Sequence, residues 1–151
     1  MITRRRIFAA AAGAALVGPA RAAAAGGDPA ILAELIAREQ AAAFAYHGQA
    51  RPALFALAAA EAAHAGALRT QLAALGREGP EAPRRVAELH PAARRVAEAT
   101  GGAALTAAIA LERSLVAAYR DALVALAEPS ILRTAGTILA SHAQHHAVLS
   151  E

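Results

Sequence analysis

Six side chains of metal-ligand type interrupt apolar helical stripes in this chain: Glu39, Glu61, His64, Glu112, His142 and His145. Glu61 and His64 form an E-x-x-H pair inside a stripe otherwise built from Leu54, Leu57, Leu68, Leu72 and Leu75. Spacings of three and four put these residues on one helix face. A free carboxylate turned toward an apolar core costs roughly several kcal/mol unless something compensates it. His142-x-x-His145 repeats the i, i+3 spacing, while Glu39 and Glu112 stand singly, each with a tyrosine seven residues on, Tyr46 and Tyr119. Carboxylate and imidazole together suit iron, manganese and zinc. Taken alone, each Glu reads as a helix-surface charge and each His as a satisfied core histidine. Six such accidents on four apolar stripes are a poorer explanation than one shared ligand. Tyr46 and Tyr119 read as core residues whose hydroxyls could reach the same place, because helical side chains lean toward the N-terminus. His146 falls one step off the stripe, and His47 and His90 fall near loops, so none of them is assigned a role.

The elements that must position this set are helices. The chain has 151 residues, 57% of them hydrophobic and only 3% aromatic; alanine, the strongest helix former, dominates. One domain is expected at this length. With no cysteine, disulfides and thiolate sites are excluded. A first helix starts at Asp28-Pro29, with Asp28 as its expected N-cap, and carries Leu32, Leu35, Glu39, Ala42, Tyr46 and Gln49 on one stripe. It ends between Gly48 and Arg51. Pro52 opens the second helix and Gly76 stops it. The third carries Leu105, Ile109, Glu112, Val116, Tyr119, Leu123 and Leu126. After the turn at Glu128-Pro129-Ser130, the fourth carries Ile131, Ala135, Ile138, His142, His145 and Leu149. Four such stripes define an all-α four-helix bundle.

The levels also match. From the turn near Arg51, Glu39 and the Glu61/His64 pair lie ten to thirteen residues along their helices. From Pro129, Glu112 lies seventeen residues back, and His142 and His145 thirteen to sixteen forward. At about 1.5 Å per residue, each set falls within roughly one turn of a common level.

The order Glu, E-x-x-H, Glu, then a second i, i+3 pair resembles the ferritin-like di-iron and di-manganese carboxylate superfamily. The segments ALERSLVAAY and ILASHAQHHAVL resemble exported bacterial ferritin-like proteins. The resemblance implies a ferritin-like bundle with a dinuclear iron or manganese site, zinc being a third candidate, and oxygen- or peroxide-linked chemistry. Glu39, Glu61, His64, Glu112, His142 and His145 would be the ligands for one or two ions. His142 departs from the pattern, which has Glu there. Two divalent ions on three carboxylates would keep one uncompensated positive charge unless a hydroxide or oxide bridged them. The other reading is a decayed site, with no metal, in which these groups pair as salt bridges and the bundle serves as an envelope interaction or structural module.

Two further expectations concern topology and export. If the two helical hairpins are copies related by a two-fold axis, residues 77–102, which contain Pro80, Pro83, Pro91 and Gly101-Gly102, must cross the length of the bundle. A short broken helix near Arg84–Ala99 is expected within that crossover. Residues 1–22 read as a signal peptide, with Arg4-Arg5-Arg6, a short apolar run through Val17 and the A-x-A sequence Ala20-Arg21-Ala22. The paired arginines resemble a twin-arginine signal, so the domain would occupy 23–151 in the periplasm or another extracytoplasmic space, without a stable membrane anchor after cleavage. The net charge of +3 belongs to that segment: residues 23–151 carry eleven Arg against twelve acidic residues. Nucleic acid is therefore not an expected partner. Metal ions are, and a homodimer is compatible where a storage cage, with its extra C-terminal helix, is not.

Overall fold

The computed structural model describes residues 27–151. The expected export signal at 1–22, and the domain boundary after it, lie outside them. The described chain is all-helical: α1 Gly27–His47, α2 Pro52–Ala74, a 3-10 turn Val86–Glu88, α3 Pro91–Glu98, α4 Gly101–Ala125 and α5 Pro129–Leu149. Prolines open α2, α3 and α5 at their first turns, where a missing N–H costs nothing. Gly76 closes α2 at φ +69°. There Arg77 N–H reaches Leu72 O at 3.2 Å and Gly76 N–H reaches Ala73 O at 2.9 Å, the paired bonds of a Schellman cap.

Two sets of side-chain contacts fix the topology. The Asp28 carboxylate, at the start of α1, accepts from Ala127 N–H at 3.0 Å and Glu128 N–H at 2.8 Å, at the end of α4. Gln71, near the end of α2, donates to Thr134 near the start of α5 at 3.2 Å. The end of α2 and the end of α4 therefore share one end of the bundle, and α4 begins at the other. The connection crosses the full length, as expected, packing its short α3 against α1 and α4. At the far end, Gln49 donates to Val96 O at 2.7 Å and ties α3 to the α1–α2 turn.

Some expectations change. Asp28 does not stand outside α1 as its N-cap; it lies within the first turn and caps the α4–α5 turn instead. Gly101 and Gly102 belong to α4 rather than to the crossover, with Gly101 at φ +57° at the helix start. Leu75 is 41% exposed, since it follows the end of α2 as its C-cap, and Leu57 is only partly buried, beside the buried face of Leu54, Ala58 and Glu61. On α4 the buried face is Ala104, Ala108, Leu111, Glu112, Leu115, Tyr119 and Ala122. Leu105, Ile109, Val116 and Leu123 flank it, half-buried. In the first turns of α4 the buried positions are alanines, Ala104 and Ala108, in one cluster with Ala92, Ala93 and Val96 of α3. α4 is long and apolar enough to cross a membrane by length and composition alone; here its Glu112 and Tyr119 are fully buried in the bundle.

Asp28→Ala should cost about 1 kcal/mol in urea unfolding with an unchanged m-value, through the loss of these cap-like bonds. An unaltered midpoint would show that the turn holds without them.

Candidate metal centre

The core divides into two apolar halves. Leu54, Leu111, Leu115 and the alanines of α1, α3 and α4 fill one; Leu32, Leu35, Ile36, Leu68, Leu72, Ile131 and Ile138 fill the other. Between them lies a polar layer. Glu39 from α1, Glu61 from α2, Glu112 from α4 and His142 from α5 are each fully buried. His64 and His145 close the layer from α2 and α5, their side chains 14% and 16% exposed. All six residues expected from the sequence thus meet in mid-bundle, one turn of helix apart at most within each pair.

The nitrogens and oxygens interlock. His64 Nδ1 lies 2.9 Å from Glu61 Oε2 and 3.5 Å from Glu39 Oε2. His145 Nδ1 lies 3.2 Å from Glu61 Oε1 and 3.6 Å from Glu112 Oε2. His142 sits between the halves, its Nδ1 2.9 Å from Glu112 Oε2 and its Nε2 2.9 Å from Glu39 Oε1. The tyrosines cross over: Tyr46 O–H donates to Glu112 Oε1 and Tyr119 O–H to Glu39 Oε1, both at 2.6 Å. Each half therefore supplies the tyrosine that holds the other half's glutamate. The equal seven-residue offsets, Glu39 to Tyr46 and Glu112 to Tyr119, carried that signal, although which glutamate each tyrosine serves needed the three-dimensional pairing.

These contacts set the protonation. Burial works against a charged Glu39, but hydrogen bonds to His142 and His64 outweigh it and hold its pKa down to about 2. Glu112 is likewise lowered, burial being outweighed by His142, His145 and Tyr46. Burial also opposes charge on His142 and His64, yet Glu112 and Glu39 raise the first to about 10, and Glu39 and Glu61 raise the second to about 9. Glu112 and Glu61 raise His145 to about 9 against its burial. In the absence of metal, His64, His142 and His145 are held as imidazoliums against the carboxylates of Glu39 and Glu112. Burial, then the neighbouring carboxylates, push both tyrosine hydroxyls far above their ordinary value, so they remain hydrogen-bond donors.

The donor set fits a divalent cation. Glu39 Oε2, Glu61 Oε1 and His145 Nδ1 are buried side-chain atoms without a well-directed hydrogen bond, the first 3.5 Å from His64 Nδ1 and the other two 3.2 Å from each other. Leaving such atoms unpaired is costly, and a cation would satisfy them. Two overlapping groups, Glu39/Glu61/His64/His142 and Glu61/Glu112/His142/His145, each bring one ligand atom per residue within 4.8 Å of one another. Donors about 2.0–2.2 Å from one ion lie roughly 3.3 Å apart in a tetrahedral shell, close to the observed spacings.

Outside the layer, His90 turns out to cap α3, its Nδ1 accepting from Ala92 N–H at 3.3 Å. His90 directly before Pro91 was the available signal for that cap. His47 packs against Phe55 with ring centroids 5.5 Å apart, and the backbone carbonyl of His146 accepts from Ser150 Oγ at 2.7 Å.

The bundle, its crossover and the buried Glu/His layer define a ferritin-like helical protein. A ferritin-like domain family matches residues 34–151, and the chain belongs to that family. No curated protein and no solved structure matches the chain.

Proposed function

We propose that this is an exported ferritin-like metalloprotein in which Glu39, Glu61, His64, Glu112, His142 and His145 hold one or two iron or manganese ions. The observation that carries this reading is the convergence of three carboxylates and three imidazoles from four helices in one layer, four of them fully buried and their ligand atoms within 4.8 Å of one another in two overlapping groups. A bound redox metal would supply one-electron chemistry toward dioxygen or peroxide. The chain's own residues supply order: Tyr46 and Tyr119 each occupy one oxygen of a glutamate and leave the other facing the layer. Glu61 offers one oxygen to each side. The two aliphatic halves of the core keep bulk water away. Export along the twin-arginine route would let the folded protein take up metal before release and act outside the cytoplasm.

A second reading, an envelope bundle without metal, draws on the same balance of three imidazoles against three carboxylates. The two readings separate on purified protein. After chelation and dialysis, Fe(II), Mn(II) or Zn(II) should bind at one or two ions per chain and raise the melting temperature. Binding should release protons, since the imidazoles must shed theirs to ligate, and so should tighten from pH 6 to pH 8.5. Less than about 0.2 ion per chain by elemental analysis, with unchanged melting, would leave only the second reading.

A further inference from the structure

We infer, resting on the metal-binding reading above, that ions enter and leave the layer through one side of the bundle. That side is the seam between α2 and α5, with Ser141 at its mouth beside His145. The four long helices pack in the cyclic order α1, α2, α5, α4, most closely within each hairpin. The two seams between the hairpins, α1–α4 and α2–α5, are therefore the candidate ways in.

The α1–α4 seam is closed. The crossover lays α3 against both of its helices. At the level of Glu39 and Glu112, His90 and Ala93 meet Arg38, Ala41, Leu111 and Ser114 around a void of about 10 Å³, barely room for one water. Inside it, Tyr46 reaches from α1 to Glu112 on α4, and Tyr119 from α4 to Glu39 on α1. Both tyrosines are fully buried.

The α2–α5 seam differs on each count. Among the described residues, no element packs across α2 and α5 as α3 packs across α1 and α4. His64 and His145 fill the seam instead, their rings stacked with centroids 6.1 Å and planes 24° apart. Their side chains are 14% and 16% exposed, whereas Glu39, Glu61, Glu112 and His142 are fully buried. These two rings are thus the members of the layer that solvent reaches. Each presents Nδ1 to the carboxylates, and His145 Nε2 lies 3.4 Å from Ser141 Oγ. Farther along the seam, Gln71 meets Thr134 and Ser130. Polar groups along an approach replace the waters that an entering ion sheds. Ser141 acts through His145, as a positioning residue of the entry.

Cobalt(II) tests this, its visible absorption followed by stopped flow during loading and during extraction with EDTA. Ser141→Leu, which fills the mouth, should slow uptake and release alike by about tenfold. The equilibrium affinity should stay within about threefold of wild type. Ser114→Leu makes the same change in the α1–α4 seam and should leave both rates as they are. Ser141→Val and Ser114→Val take their places if circular dichroism shows the leucine variants unfolded. Wild-type rates in the Ser141 variant, or equal slowing in the Ser114 variant, would overturn the inference. So would a change in affinity larger than the shared change in rates, which would make Ser141 part of the site rather than its mouth. No cobalt bound by the wild type at equilibrium would instead defeat the metal-binding reading itself, and this inference with it.

Discussion

Replacing His142 with alanine is expected to destabilise the metal-free protein at pH 7 by about 3–5 kcal/mol, the cost of removing one partner from a buried charge network. His142 is fully buried and its two ring nitrogens join Glu39 to Glu112. Its loss leaves the buried Glu39 and Glu112 carboxylates without the imidazolium that joins them, and opens a cavity between the two halves of the core. Tyr46 and Tyr119 still hold one oxygen each, which reduces the damage without supplying charge. Thermal melts in chelator should fall by roughly 10–20 °C for a domain of this size. The pH response gives a second signature. An unbalanced carboxylate binds a proton more readily when folded than when unfolded, so melting of the variant should recover between pH 7 and pH 5. A loss below about 1 kcal/mol, the range of an exposed ion pair, would mean that His142 carries no structural charge.

Much of this site was legible in the sequence because its residue types are out of place. A glutamate or histidine on an apolar stripe violates the helical pattern, and Glu39, Glu61, Glu112 and His142 are indeed fully buried. The long crossover followed from the same repeat, since two copies of a hairpin can share a centre only if the second starts at the far end. The exact face of α4 was less legible. Heptad spacing selects the larger side chains Leu105, Ile109, Val116 and Leu123, but alanine counts as apolar on either side of a seam. In the fold it is Ala104 and Ala108 that are buried there, in one cluster with Ala92, Ala93 and Val96 of α3. Asp28 departs from its local signal for a different reason. Asp before Pro is a strong local cap signal, whereas its carboxylate bonds to backbone N–H groups about a hundred residues away. No local pattern carries that pairing.

The metal-free protein should be most stable between about pH 4.5 and 6.5 and should lose on the order of 5 kcal/mol by about pH 10. His64, His142 and His145 have folded-state pKa values raised to about 9, 10 and 9 from an ordinary 6.5. The folded chain therefore holds these protons after the unfolded chain has released them. Their stabilisation is fully present below pH 6.5 and is lost as pH rises through 9 to 10. Glu39 works in the opposite sense: held down to about 2 from 4.5, its contribution is present above pH 4.5 and lost as pH falls through 2. The histidines share the same carboxylates, so their separate contributions do not add, which is why the expected loss stays near that of one or two of them. Urea unfolding in chelator at pH 3, 5.5, 7.5 and 9.5 measures both limbs. With saturating zinc the alkaline limb should reverse between pH 6 and 8, because the ion takes the place of the protons and binds better once they have left. A flat profile in chelator from pH 5.5 to 9.5 would show that the imidazoles in the layer are neutral and that the three carboxylates are balanced in some other way.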